Sequence, residues 1–379
     1  MSSVPPRVRL LLMLPALSAL GCGVLSGLAR LGVPMPEVII AMVGMHGALM
    51  IGGFFGTVIA LERAVALGTL GTPGRSSRSA APFADANVLW PYAAPLFSGL
   101  GAIAIMAGAS SLVAATLLCF AALIMSCACA TVWLRQKVMH HAVLTIAAMA
   151  WLAGNLIWLW DATITSAVPW WIAFLMLTIA GERLELSRFR TTSLIARIAF
   201  GFIISALLVA VIATRVSEAA GLTLYAATMF ALSLWLVSFD IARHTIKAGG
   251  LTRYIAICLL SGYLWLAVAG LLGVSGALQN GSIMRDAALH ALLLGFVFSM
   301  VFGHAPIILP AVSPLRLNWH QGFYIPLAVL HLSLAARVLA GVTAWFALRK
   351  YAAVINALAL LMFALMVASS LRRVRRSRL

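Results

Sequence analysis

Apolar runs of membrane-spanning length follow one another along almost the whole chain, and they constrain the fold more than any other feature. About twenty apolar residues make a helix long enough to cross the hydrocarbon core of a bilayer. Twelve such runs lie at about residues 10–30, 36–61, 88–108, 110–134, 140–160, 165–183, 193–214, 219–240, 253–275, 285–306, 320–341 and 351–371. Since lipid offers the backbone no hydrogen-bond partners, the sequence predicts an all-α polytopic membrane protein with about twelve transmembrane helices.

The composition agrees with this fold class, because 63% of the residues are hydrophobic and only 9% are charged. A soluble domain needs far more charge to cover its surface. The first run is long enough to span a membrane and lacks a signal-peptide cleavage site, so we expect one transmembrane domain over residues 1–379. Within it, residues 68–87 are rich in Gly, Ser, Pro and Arg and predict a flexible cytoplasmic loop.

The net charge of +17 reflects membrane topology rather than nucleic-acid binding, which we do not expect. Basic residues concentrate in one set of loops and in the tail at residues 372–379, whereas the opposite loops carry few. Cytoplasmic loops of membrane proteins are enriched in Lys and Arg. The pattern predicts a multi-pass inner-membrane protein with both termini cytoplasmic, whose basic tail contacts anionic lipid.

Two histidines stand within apolar runs, and each is followed by small residues, Gly and Phe. His46 begins His-Gly-Ala-Leu-Met-Ile-Gly-Gly-Phe-Phe-Gly, and His290 begins His-Ala-Leu-Leu-Leu-Gly-Phe-Val-Phe-Ser-Met. An ionisable residue inside the membrane is costly and is a functional hypothesis by default. Counted along ideal helices from Glu37 and Asp286, the two histidines would differ in depth by about 7 Å.

An internal repeat would make the helices that carry these histidines equivalent. Ala-Leu-Glu62-Arg63 and Ala-Gly-Glu182-Arg183 are 120 residues apart, and His46 and His290 are 244 apart, about twice that distance. Twelve helices then divide into three arcs of four. The Glu-Arg pairs themselves are interpreted as interhelix salt bridges or, alternatively, as part of a proton route.

Two neutral imidazoles from facing helices are the usual axial ligands of a low-spin haem. The sequence therefore suggests one haem, of b-type, held by His46 and His290. The alternative is that both histidines are packed in the core and hydrogen-bonded to neighbouring carbonyl or hydroxyl groups. Haem propionates need cations at the membrane edge, and the outer side offers Arg285, Arg349 and Lys350, which could instead contact lipid headgroups.

The remaining histidines suggest a second metal site. His331 lies in the middle of the eleventh run and is either a metal or alternative axial ligand or a packing residue. His140, His141 and His304 lie near the inner side, where they could bind copper, since imidazole suits copper and iron. The alternative, which we prefer, is that they are interfacial histidines at the headgroups. His244 and His320 are predicted to lie in loops.

The second and tenth runs resemble the haem-ligand helix and the tenth helix of heme–copper oxidase subunit I. In size and in the phrases His290-Ala-Leu and Gly303-His304, the chain resembles the NnrS family more closely. That resemblance implies a haem- and copper-containing membrane protein associated with nitric oxide and denitrification. In the oxidase resemblance, Arg349-Lys350 matches by position a basic pair that holds the propionates.

The chain departs from the oxidases at several ligand positions. Leu292 stands where they carry a second histidine in the tenth helix, and the sixth and seventh runs contain no histidine for their copper centre. We therefore do not expect oxygen reduction. The resemblance implies electron transfer or nitric oxide handling, with an electron donor as partner and nitric oxide as a possible ligand.

A secondary transporter without a cofactor is the alternative function, and a structural or assembly subunit is a third. Transporters have helices broken at corresponding places and charged residues at mid-depth. We expect the helices to be uninterrupted near the two histidines, and carboxylates within the membrane to be almost absent. Both expectations favour the haem hypothesis.

Overall fold

A computed structural model describes residues 4–70, 89–187, 193–312 and 315–373 of the chain. Eleven helices in these ranges are long and apolar enough to cross a membrane, and a shorter apolar segment spans Trp90–Met106. Together they correspond to the twelve predicted runs, and they confirm the all-α polytopic fold. The grouping into three arcs and the orientation in the membrane stay predictions.

The chain forms two compact units, of which the first comprises Met1–Phe174 and Pro310–Pro314. Its helices are α1 (Pro6–Ala29), α2 (Glu37–Ile40), α3 (Thr57–Leu70), α4 (Ala93–Met106), α5 (Ser111–Gln136), α6 (Met139–Asp161) and the first part of α7 (Ile164–Ser187). Short 3₁₀ turns cover Val43–Met45 and Trp90–Tyr92, and a π-helix covers Ala48–Gly56.

The second unit comprises Leu175–Leu309 and Leu315–Leu379. After the rest of α7 it contains α8 (Leu194–Ala213), α9 (Glu218–Phe239), α10 (Ala242–Thr245), α11 (Gly250–Val274), α12 (Arg285–His290), α13 (Ser299–Val312), α14 (Tyr324–Val342) and α15 (Phe346–Ser370). A π-helix spans Ala291–Phe298 and a 3₁₀ turn spans Gln321–Phe323. Strand β1 (Leu315–Leu317) pairs antiparallel with β2 (Leu371–Arg373), with Arg316 opposite Arg372.

Several helices begin and end where local chemistry dictates. The hydroxyl groups of Ser110, Ser193 and Ser217 accept hydrogen bonds from the first turns of α5, α8 and α9, which satisfies backbone N–H groups that have no partner within the helix. Lys137 ends α5 in the left-handed conformation, with φ of 50°. The short loop between α5 and α6 therefore follows from a residue-level stop signal.

Large aromatic side chains fill the interior of the first unit. Trp151 and Trp171 are fully buried, and Trp151 stacks on Phe174 with ring centroids 5.1 Å apart. The indole N–H of Trp171 donates to Oδ1 of Asn155, whose amide in turn donates to the carbonyl of Leu118. This chain of bonds ties α5, α6 and α7 together while satisfying buried polar groups.

Part of the predicted domain organisation lies outside the described residues. Of the predicted flexible loop at residues 68–87, Gly68–Leu70 continue α3, and the rest falls outside the described ranges. Of the basic tail at residues 372–379, Arg372 and Arg373 belong to β2 and the others again fall outside.

The helix that carries His46 is interrupted, contrary to expectation, whereas the helix that carries His290 is continuous over Arg285–Pro310. Before His46 the chain forms the one-turn α2, bends at Ala41–Met42 and continues as a 3₁₀ turn. After each histidine the backbone changes to a π-helix. The rise of an ideal α-helix therefore does not apply to residues 37–46, and the predicted depth difference between the histidines loses its basis.

Candidate functional site

His46 is held against α1 by one hydrogen bond and one close approach. Its Nδ1 lies 2.6 Å from the carbonyl oxygen of Gly23. A Cβ atom added to Gly27 would lie 2.8 Å from Cε1 of the imidazole, so the ring fills space that only a glycine leaves. The side chain is half-buried. Gly23 and Gly27, one helical turn apart on α1, thus form the surface against which this histidine packs, and we call this surface the seat of His46.

His290 is held within the second unit by its own helix and by a carboxylate. Its Nδ1 lies 2.8 Å from the carbonyl oxygen of Asp286 and 3.3 Å from Oδ1 of the same residue. That carboxylate accepts two bonds from Arg337, from Nε at 2.9 Å and from Nη2 at 2.8 Å. A bidentate arginine fixes the plane of a carboxylate, so the Asp286–Arg337 pair orients the imidazole.

The two histidines share the same protonation geometry. A carbonyl oxygen only accepts hydrogen bonds, so Nδ1 must carry the hydrogen in His46 and in His290. In a neutral imidazole the lone pair then lies on Nε2, the nitrogen most often used for metal coordination. Histidine ligands of metals are oriented in this way by a carbonyl or carboxylate at the other nitrogen. Each histidine therefore fits a haem ligand.

A second feature is common to both helices. The π-helix after each histidine ends at a hydroxyl residue, Thr57 or Ser299, whose Oγ atom donates to a glycine carbonyl four residues earlier, that of Gly53 or Gly295. π-helical turns are rare and are concentrated at functional sites. The predicted equivalence of the two stretches thus extends to backbone geometry.

His331 has a different hydrogen-bonding pattern. The indole N–H of Trp265 donates to its Nδ1 at 2.9 Å, and the two rings stack with centroids 6.4 Å apart. An indole only donates, so Nδ1 supplies its lone pair to Trp265 and the hydrogen of a neutral ring lies on Nε2. This pattern favours a packing role for His331 over a metal ligand.

His304 uses both ring nitrogens in hydrogen bonds. Nδ1 lies 2.9 Å from the carbonyl oxygen of Met300, and Nε2 accepts from Nη2 of Arg183 at 2.7 Å. Coordination of a metal by Nε2 would therefore require His304 to release Arg183. Because His304 belongs to the second unit and His140 and His141 to the first, the copper site that combines them stays a prediction.

His140 and His141 begin α6. His140 is buried, the two imidazole centroids lie 4.2 Å apart, and Nε2 of His141 lies 2.8 Å from Oε1 of Gln136. His141 also borders a cleft of about 60 Å³ together with Arg63 and Cys129. Within the described ranges, no three His, Cys, Asp or Glu side chains gather closely enough to hold a metal ion.

The predicted propionate-binding cations all belong to the second unit. Arg349 places its guanidinium 5.0 Å from the centroid of Phe346 and acts electrostatically on the Asp286 carboxylate. It therefore lies in the same region as His290. Lys350 follows it in α15 and is half-buried. Nη1 of Arg285 donates to the carbonyl oxygen of Leu278 at 2.8 Å.

The two Glu-Arg pairs make different contacts, and the predicted interhelix salt bridges stay a prediction. Arg63 lies 3.5 Å from Glu62, its own neighbour in sequence. Arg183 instead bonds to His304, and it is 3% exposed.

Two buried charged residues were missed by the sequence analysis. Arg337 is 6% exposed and pairs with Asp286, and it lies within a membrane-spanning segment. Asp240, directly after α9, is 1% exposed. Their positions within apolar runs were a signal, because charges there are rarely left on a lipid-facing surface. Asp286 is the second residue of its span and Asp240 follows the end of α9, so the expectation that carboxylates are almost absent from mid-depth stays a prediction.

One family model matches residues 9–372, and this family is described as a domain of unknown function, DUF8744. No curated protein and no solved structure matches the chain. The match extends from α1 to β2 and covers both units. The chain therefore belongs to the DUF8744 family.

Proposed function

We propose that this protein binds one b-type haem through His46 and His290 and transfers electrons in the inner membrane. The observation that carries the proposal is the arrangement shared by the two histidines. In each, Nδ1 donates to a protein carbonyl and a π-helix begins one or two residues later. Packing in the core requires that each histidine has a hydrogen-bond partner. It does not explain why both histidines have the same tautomer and are both followed by a π-helix.

Haem in such a site supplies one-electron oxidation and reduction. The chain's part is to set the tautomer and the direction of each imidazole. For His46 this is done by Gly23 and Gly27, and for His290 by Asp286 with Arg337 behind it. A carboxylate at Nδ1 also makes Nε2 a stronger donor to a metal. Arg349, Lys350 and Arg285 are the cations proposed for the propionates.

If His46 and His290 both held the haem, no ligand position would remain for a gas, which favours electron transfer over gas binding. Association with nitric oxide, which the NnrS resemblance implies, would require one histidine to leave the iron. We therefore place electron transfer first, with an electron donor on the outer side of the membrane as the partner. Copper binding also remains a prediction, because the described residues contain no cluster of three potential metal ligands.

The test is an absorption spectrum of the full-length protein purified in detergent, oxidised and then reduced with dithionite. We expect a Soret band and a sharp α-band in the reduced protein, lost in His46→Ala and in His290→Ala. His331→Ala is the matched control and should retain both bands, because its Nδ1 lone pair is already bonded to Trp265. Addition of nitric oxide to the reduced protein then tests whether a histidine can be displaced.

A colourless protein after expression with ample haem would contradict the proposal. Loss of the bands in His331→Ala but not in His290→Ala would contradict the ligand assignment alone. Each variant is first checked for thermal unfolding and monodispersity in the same detergent, so that a misfolded variant is not counted as a lost ligand.

Transport is the second candidate, and two observations favour it. The helix before His46 is interrupted, and the second unit contains a buried acid, Asp240, and a half-buried one, Asp286. Broken helices and buried ionisable residues are common in secondary transporters. Proton movement into proteoliposomes under an imposed pH gradient, followed with an internal pH dye, would support this candidate if a colourless protein showed it.

A further inference from the structure

A second polar cluster lies in the second unit, apart from His290. It consists of Arg183 in α7, Asp240 after α9, Tyr263 in α11 and His304 in α13, and we call it the Asp240 cluster. Arg183, Asp240 and Tyr263 are 3%, 1% and 0% exposed. Burial of two opposite charges and a phenol is costly unless their hydrogen bonds are satisfied.

The two charges of the cluster are not paired with each other. Arg183 and Asp240 interact electrostatically, but their side chains do not reach ion-pair distance, and Nη2 of Arg183 bonds instead to His304. One carboxylate oxygen, Oδ1 of Asp240, accepts from the backbone N–H of Ala242 at 2.6 Å. The charge on Asp240 is therefore only partly compensated.

Three buried polar atoms of the cluster have no hydrogen-bond partner. They are Nε of Arg183, Oδ2 of Asp240 and the hydroxyl of Tyr263. The hydroxyl and the carboxyl lie close enough to interact, although not in ordinary hydrogen-bond geometry. Such orphaned groups are rare in native proteins and call for a missing partner, such as a proton, a water molecule or a ligand.

Tyr263 can complement Asp240 in either protonation state. A phenolic hydroxyl both donates and accepts, so it donates to a carboxylate and accepts from a carboxylic acid. Arg183 only donates and therefore stabilises the carboxylate alone. Its partner His304 accepts from Arg183 through Nε2, so that nitrogen carries no hydrogen in this bond. The groups that face Asp240 thus allow both states, with the change of charge confined to Asp240.

Burial raises the pKa of the Asp240 carboxyl above its ordinary value, and this effect outweighs the lowering by Arg183, by the N–H of Ala242 and by Tyr263. Asp240 directly follows the last residue of the membrane-spanning helix Glu218–Phe239 and therefore lies at the end of that span.

We propose that Asp240, between Tyr263 and Arg183, is a buried proton-binding site that takes up one proton from water and releases it again. Uptake converts the carboxylate to the acid, with Oδ2–H donating to the Tyr263 hydroxyl. Release restores the carboxylate, to which Tyr263 then donates. The site is independent of the proposed haem ligands and does not require a haem to be present.

The test is infrared difference spectroscopy of the full-length protein in detergent, stepped from about pH 4 to about pH 9, a range that brackets carboxyl titration. We expect a carbonyl-stretch band of a protonated carboxyl group that disappears on the alkaline side and shifts in heavy water. The band should be absent from Asp240→Asn and retained in Asp161→Asn, a matched change at the end of α6.

A Tyr263→Phe variant provides the second readout, and it decides the matter if Asp240→Asn does not fold. Loss of the hydroxyl should move the frequency of the band, since the acid loses its hydrogen-bond acceptor. No band over the pH range, a band unchanged in Asp240→Asn, or a frequency unchanged in Tyr263→Phe would each overturn the proposal. The measurement does not involve haem absorption, so the two proposals fail separately.

Discussion

At the scale of single residues, hydrogen-bond partners rather than residue types distinguish the candidate ligands. His46, His290, His304 and His331 all stand within apolar stretches of the sequence. A carbonyl acceptor sets one tautomer in His46 and His290, an indole donor sets the opposite one in His331, and His304 has both nitrogens occupied. Asp286 and Arg337 form the second determinant, since their bidentate pair stands directly behind His290.

Substitution of Arg337 tests how much the Asp286–Arg337 ion pair contributes to stability. We expect Arg337→Met to lower the free energy of unfolding by about 3 kcal/mol, because it leaves the Asp286 carboxylate without its main partner in a poorly hydrated place. The double variant Asp286→Asn with Arg337→Met should recover more than half of the loss. Denaturant unfolding in detergent, followed by tryptophan fluorescence, measures both.

The control is Arg253→Met, which removes an exposed arginine from α11 and should change the stability by less than about 0.5 kcal/mol. Equal losses in Arg337→Met and in the double variant would show that Arg337 acts through packing alone and not through the carboxylate.

At the scale of secondary-structure elements, the π-helices are the main departure from a simple bundle. A π-helix shifts the side chains that follow it around the helix axis, so the residues after Gly56 and Phe298 face differently from those of a continuous α-helix. Their glycines allow close packing: a Cβ on Gly53 would lie 2.8 Å from Ala19 of α1. The seat of His46 depends on the same helix.

Two glycines of α1 provide a matched test of that seat. In Gly27→Ala the new Cβ would overlap the His46 ring, and we expect the ring to move and its bond to Gly23 to break. Overpacking of this kind costs about 1–3 kcal/mol. Gly21→Ala has nothing within 4 Å of the new Cβ and should stabilise the helix by about 0.5–1 kcal/mol.

The measurement is the midpoint of thermal unfolding for both variants in one detergent. Opposite shifts are expected, downward for Gly27→Ala and upward for Gly21→Ala. Shifts of the same sign would mean that the His46 ring can move away from the new methyl group without loss of stability.

At the scale of the whole molecule, charge is scarce and unevenly distributed between surface and interior. The chain has nine acidic residues against 26 Lys and Arg. Two of these acids, Asp240 and Asp286, lie in the second unit in contact with buried arginines or close to them. The balance of these few groups should therefore govern how stability depends on pH.

Asp240 should make the protein less stable as the pH rises. Its folded-state pKa is raised by burial, so the folded protein retains the proton over a range in which the unfolded chain has lost it. Stability is then greatest below the unfolded pKa and falls as the pH rises through the folded one. We expect Asp240→Asn to gain stability relative to the wild type as the pH rises above about 4, the ordinary pKa of an aspartate.

Thermal unfolding of both proteins across this range measures the difference, with Asp161→Asn as the control that should run parallel to the wild type. If the wild type instead became more stable relative to Asp240→Asn as the pH rises, the Arg183 charge would lower the pKa of the Asp240 carboxyl by more than burial raises it.

The sequence alone was sufficient for the fold class and for the choice of His46 and His290 as a matched pair. The length of an apolar run reports a membrane span because the bilayer has a fixed thickness. A repeated His-small-Gly-Phe phrase is likewise a local property that needs no knowledge of the fold.

Tertiary structure alone decided what each buried polar group is paired with. Arg337 meets Asp286 across 51 residues and Arg183 meets His304 across 121, and such separations leave no periodic trace in the sequence. The π-helices were equally hidden, because an apolar run has the same composition whichever hydrogen-bond ladder its backbone adopts. Length and polarity are properties of a segment, whereas tautomers, ion pairs and orphaned atoms arise only when distant segments pack together.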